Sequence, residues 1–126
     1  MVINSAMIHF HEYVQKHLTI PFEWGVNDCV TFSIGWGEIV RDEEILIQYL
    51  PWNNEQEAMD KIEMLGGLAV EFDKLFVRIE PNFANDGDLT VVNGCAMLFS
   101  GSKLVAPSHE GLKHLNRMET KCAWRF

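Results

Sequence analysis

Positive charge is scarce in this chain. Ten Lys and Arg stand against eighteen Asp and Glu, a formal net charge of −8. Sequence-independent nucleic-acid binding needs a basic face, and anionic membrane surfaces select the same charge, so neither partner is expected. Cysteine is also sparse. Three residues, Cys29, Cys95 and Cys122, are an odd number and argue against a disulfide framework. Residues 1–17 are amphipathic and lack a basic segment followed by an apolar core, so no signal peptide is read there and a reducing cytoplasm is expected. No apolar run approaches the ~20 residues of a membrane span. The C-x-x-C and H-E-x-x-H spacings are missing, as are a P-loop and a dinucleotide fingerprint, so no metal and no cofactor are expected. Repeats, low-complexity tracts and linkers are absent too. The 126 residues read as one domain, 1–126, able to bury roughly two-thirds of its unfolded surface.

What is present divides into two periods. Ile3, Met7, Phe10 and Val14 recur every three to four residues and predict a helix over 5–17. A second helix is predicted over 29–40; its Gly35 and Gly37 suggest the close approach of another backbone. A short helix over 43–50 precedes Pro51. Asn54 with Glu57 three residues on opens a third helix running to about 65, and Gly66 is placed to cap it. Residues 68–76 predict one more helical piece. After the turn cluster Asn85-Asp86-Gly87-Asp88, short strands are predicted over 89–92, 95–99, 103–106, 112–115 and 121–125. Asn93-Gly94 and Ser100-Gly101-Ser102 stand at hairpin spacing. A helical part over about 1–76 followed by a β part over about 86–126 is an α+β domain, helices packed on a small antiparallel sheet or barrel.

Chemistry concentrates at Asp28-Cys29. Asp28 is a good helix N-cap, which makes Cys29 the first helical residue. The positive end of the helix and its unpaired N–H groups favour a thiolate, the nucleophilic form. A buried cysteine packing as a small hydrophobe fits the same spacing, and both readings stand. Trp24, Trp36, Trp52 and Trp124 either line a groove or, as the favoured reading, build the core.

The segments Phe22-Glu23-Trp24-Gly25, Asp28-Cys29, Gly66-Gly67-Leu68-Ala69, Gly87-Asp88-Leu89 and Ala123-Trp124-Arg125 follow one another in a recognisable order. The series resembles the NlpC-type, papain-like cysteine peptidases. It is closest to a subgroup of small phage and prophage proteins associated with tail assembly. The resemblance runs from about residue 21 to the end and rests on the order of short motifs. It implies a papain-like fold, with Cys29 in the nucleophile position. In NlpC-type enzymes a histidine base opens the strand after the Gly-Asp strand, and a polar residue on the next strand orients it. Here Cys95 or Gly94 stands at the first position and Val105 at the second. His109, in the turn following that strand, is the best substitute base.

The resemblance therefore implies a tail-tip or tail-assembly protein with a degenerate site. Its partners would be other phage tail or baseplate proteins, and it would pass from host cytoplasm to the virion tail. The alternative is an active cysteine peptidase or amidase that cuts peptidoglycan peptides during phage entry, with Cys29 as nucleophile.

Overall fold

The computed structural model describes the backbone of residues 2–126 and the side chains from residue 9 onward. Four helices precede an antiparallel sheet: α1 (Val2–His17), α2 (Cys29–Arg41), α3 (Glu55–Met64) and α4 (Leu68–Leu75). The strands are β1 (Val77–Ile79), β2 (Leu89–Val92), β3 (Cys95–Ser100), β4 (Lys103–Ser108), β5 (Gly111–Asn116) and β6 (Ala123–Arg125), in the spatial order β1-β6-β2-β3-β4-β5. The class is α+β, as the change of period near residue 85 predicts. No helix among the described residues is long and apolar enough to cross a membrane.

Helix starts follow their caps. Asp28 accepts from the Val30 and Thr31 N–H groups, and the Thr31 hydroxyl receives the Asp28 N–H, a reciprocal capping box. Asn54 accepts from the Glu57 N–H at the start of α3. Phe10 of α1 is buried, whereas Ile3 and Met7 lie outside the residues whose side chains are described. The region 43–50 forms only a single 3₁₀ turn, Leu46–Gln48; the Glu38 carboxylate takes the Ile45 and Leu46 N–H groups and fixes a bend there instead of a helix.

Gly35 and Gly37 correct another expectation. Among the described residues, the atoms nearest to a Cβ at either position belong to aromatic side chains and not to a second backbone. A Cβ on Gly35 would stand 2.7 Å from the Tyr13 hydroxyl, and one on Gly37 would stand 2.5 Å from the Phe126 ring. The missing side chains admit two aromatic residues, and the Tyr13 hydroxyl then donates to the Phe32 carbonyl at 2.6 Å.

Both faces of the central strands β2, β3 and β4 are buried. Leu89, Ala96, Leu98, Val105 and Trp124 face Val30, Phe32, Ile34 and Trp36 of α2 in the main core. On the opposite face, Val92, Met97, Phe99, Leu104, Ala106 and Ala123 form a second core with Ala84. The outermost strands, β1 and β5, are five strand spacings apart in the sheet order, which in a flat sheet would be roughly 24 Å. Arg117, immediately after β5, nevertheless donates to the carbonyls of Pro81 and Ala84, just after β1, at 3.0 Å each. It also donates to the Gly101 carbonyl at 3.1 Å and lies over the Phe99 ring. Arg117 thus clasps the β1–β2 connection, which packs over the second core, onto the β3–β5 side of the sheet. Arg117→Ala is expected to cost about 1–2 kcal/mol through unpaired carbonyls, read as a lower urea midpoint with an unchanged slope. A variant as stable as the parent would show that this clasp adds nothing to the fold.

Candidate functional site

Three chain segments meet at Cys29. The first is the tight loop leading into α2. Glu23 and Asn27 pair across it, through Glu23 N–H to Asn27 O at 3.2 Å and Asn27 N–H to Glu23 O at 2.8 Å. Gly25 turns the loop at φ +80°, and any Cβ there would run into the Trp52 carbonyl. The buried Asn27 amide donates to the Ile20 and Pro21 carbonyls and ties the loop to the segment before it.

The second segment is the stretch around Trp52. Asp28 is fully buried, and its two oxygens take four donors. Oδ1 accepts from Val30 N–H at 3.0 Å and Thr31 N–H at 2.8 Å. Oδ2 accepts from Gly25 N–H at 2.8 Å and from the Trp52 indole N–H at 2.8 Å. The sequence marks Asp28 as a cap; its hold on Trp52, 24 residues away, has no local signal. All four contacts are structural, so Asp28 holds the geometry around Cys29 and is not a free acid or base.

The third segment is the β2–β3 hairpin. Its turn, Asn93-Gly94, is exposed and left-handed at both residues, and it delivers Cys95 at the first position of β3. Cys29 and Cys95 both line one groove, near enough for each thiol to shift the other's ionisation. The Cys95 sulfur also lies 3.6 Å from the Ala96 carbonyl oxygen.

This environment separates the two thiols. The neighbouring Cys95 thiol pushes the Cys29 thiol well up, and burial and the nearby Asp28 charge push it further. Cys95 moves down, first through the Cys29 thiol and then through the positive charge of Lys113, with burial opposing. The first proton lost by the pair leaves Cys95, and the negative charge that results makes the second loss harder.

Both sulfurs open on a groove of about 300 Å³ walled by Phe22, Trp24, Trp52, Met59 and Pro107. Trp24 is half-buried on this wall, while Trp36, Trp52 and Trp124 are buried in the core.

His109 does not join this groove. It is exposed in the β4–β5 turn, its ring 4.3 Å from that of Phe22, and it lines a separate hollow with Leu18, Pro21 and Ser108. Phe22 walls both spaces and stands between them. Val105, at the position of the expected orienting residue, is buried in the main core. Asp86 and Asp88 are absorbed by turn contacts: Asp86 takes the Gly101 N–H, and Asp88 takes the Asn85 N–H and pairs with Arg125 at 2.8 Å. Among the described residues, no group of three or more His, Cys, Asp or Glu could hold a metal ion. The arrangement can support thiol chemistry; an imidazole-driven acyl transfer has no base beside the sulfur.

No curated protein and no solved structure matches this chain. One family profile, described as a domain of unknown function (DUF6950), matches residues 5–126. The chain belongs to the DUF6950 family.

Proposed function

We propose that this protein is a phage or prophage tail component with an NlpC-related, papain-like fold and a silent thiol site. It acts at the tail tip or in tail assembly through protein–protein contacts. The order of motifs from Trp24-Gly25 to Ala123-Trp124-Arg125 supports the relationship, and the α+β architecture with Cys29 at a helix start is compatible with it. One observation carries the silent-site reading: the groove at Cys29 is lined by a second thiol, Cys95, where a papain-like enzyme would present an imidazole. Activation of a papain-like thiol comes from a paired imidazole, and a helix terminus alone contributes only about 0.3–1 kcal/mol. The active peptidase is the rival reading; it requires His109 to reach past Phe22.

The test pairs iodoacetamide labelling and peptide mapping with a muropeptide digest. Slow alkylation of Cys29 at neutral pH and no cleavage are expected. Rapid labelling confined to Cys29, with cleavage that is lost in Cys29→Ala and in His109→Ala, would replace this reading with the peptidase.

A further inference from the structure

Cys95 stands where the resemblance would place a base, and its surroundings give it a chemistry of its own. The two thiols come from rigid elements of different kinds, the first residue of α2 and the first residue of β3. They line the same open groove, near enough for each to shift the other's ionisation. The third cysteine is held elsewhere: the Cys122 sulfur lies 3.6 Å from the Val91 carbonyl oxygen and 3.9 Å from the Thr120 hydroxyl. The groove therefore presents two adjacent thiols to a visiting molecule. The exposed Asn93-Gly94 turn beside Cys95 leaves an approach to its sulfur, whereas Trp24 and Trp52 share the groove wall with Cys29.

We propose that Cys29 and Cys95 form a dithiol site that exchanges with low-molecular-weight disulfides, Cys95 attacking and Cys29 resolving. In the first step the Cys95 thiolate attacks one sulfur of a disulfide RS–SR. The Cys95–SR bond forms, the RS–SR bond breaks, and RS⁻ leaves and takes a proton from water. In the second step Cys29 gives its proton to water and attacks the Cys95 sulfur. The Cys29–Cys95 bond forms and the second RS⁻ departs and is protonated. The protein loses two electrons and two protons, and one RS–SR becomes two RSH. Attack needs thiolate, and Cys95 is the member of the pair that reaches it first. The product would staple the start of α2 to the hairpin and fix the floor of the groove. This inference goes beyond the tail-component reading and does not rest on it: muropeptide cleavage by the reduced chain would overturn that reading and leave the exchange untouched.

The test exposes the reduced full chain to excess glutathione disulfide at about pH 7.5, near which thiolate fraction governs the rate. Intact mass and non-reducing peptide maps are then recorded. The expected product is lighter by two hydrogens, has Cys29 linked to Cys95, and keeps Cys122 free. In Cys29→Ser, a stable glutathione adduct should accumulate on Cys95. In Cys95→Ser, Cys29, walled in by Trp24 and Trp52, should react more slowly than Cys95 does in Cys29→Ser. The parent chain decides the matter even if a variant misfolds. Three free thiols after exposure, stable adducts without the Cys29–Cys95 link, or a link through Cys122 would each overturn the proposal. Equal rates for the two cysteines in the single variants would overturn the assignment of the attacking thiol.

Discussion

Replacing Trp124 with alanine is expected to remove about 3–5 kcal/mol of stability, the range for a large aromatic residue taken from a core. Trp124 is fully buried and faces Arg78 on one side and Leu89 on the other, so its removal opens a void between β1 and β2. Its ring also meets Phe72 edge-on at 5.5 Å between centroids and lies under the Arg78 guanidinium at 4.8 Å. The indole N–H donates to Asp73 at 2.9 Å, and Asp73 takes Arg78 in a two-point pair. Trp124→Phe separates these contributions. It keeps most of the buried area, loses the indole donor to a carboxylate that still holds Arg78 together with part of the ring volume, and should cost clearly less than the alanine variant. Urea unfolding of both variants provides the measurement. An alanine variant melting within a degree or two of the parent, against the roughly 10 °C or more that 3–5 kcal/mol implies, would mean that Trp124 does not support the core.

Asp28→Ala is the second large effect, also expected at about 3–5 kcal/mol. The lost cap alone is worth about 0.5–2 kcal/mol. The greater loss lies in the Gly25 and Trp52 N–H groups, which would be left buried without an acceptor at about 1–3 kcal/mol each. Asp28→Asn should not rescue the fold. The carboxylate presents two acceptor oxygens to four donors, whereas an amide has one oxygen and turns an NH₂ toward the other pair. Equal stability of the Asn variant and the parent would show that a single oxygen suffices. The same experiment tests how the cysteine pair is placed, because the loop that Asp28 holds carries Trp24 over the groove.

Local signals served the chain well wherever a few neighbouring residues decide the structure. Asp28 and Asn54 open helices because their side chains satisfy N–H groups two or three residues on. Asn93-Gly94 and Gly101 close hairpins because their left-handed backbone suits the twist of the strands. The β2 strand falls on the predicted residues 89–92, and the other predicted strands lie within two residues of those found. Partners distant in sequence were not legible. The strand β1 at Val77–Ile79 is three residues long with no alternation to reveal it, and it forms because β6 pairs with it. The Asp28–Trp52 bond and the Arg117 clasp each join segments more than twenty residues apart, and nothing near either end announces the other. The candidate site was half legible. The cap and the helix start marked Cys29. The position of Cys95 was found only as that of an absent histidine, and the meeting of the two sulfurs depends on how the β2–β3 hairpin lies against α2.

The place of β6 carries a consequence for the order of folding. This strand, Ala123–Arg125, sits between β1 and β2, so two pairings in the middle of the sheet wait for residues near the end of the chain. During synthesis the four helices and the β2–β5 meander can begin to form from contacts close in sequence. The sheet cannot close until Trp124 has emerged, because Val77 must find Arg125 across 48 residues. Contacts of such separation slow folding, since the loop must be closed before any stabilising pairing is gained. Until then β1 and β2 each expose an unpaired edge, the kind of surface that recruits strands from other chains. The arrival of β6 thus governs how long β1 and β2 stay open to misassociation.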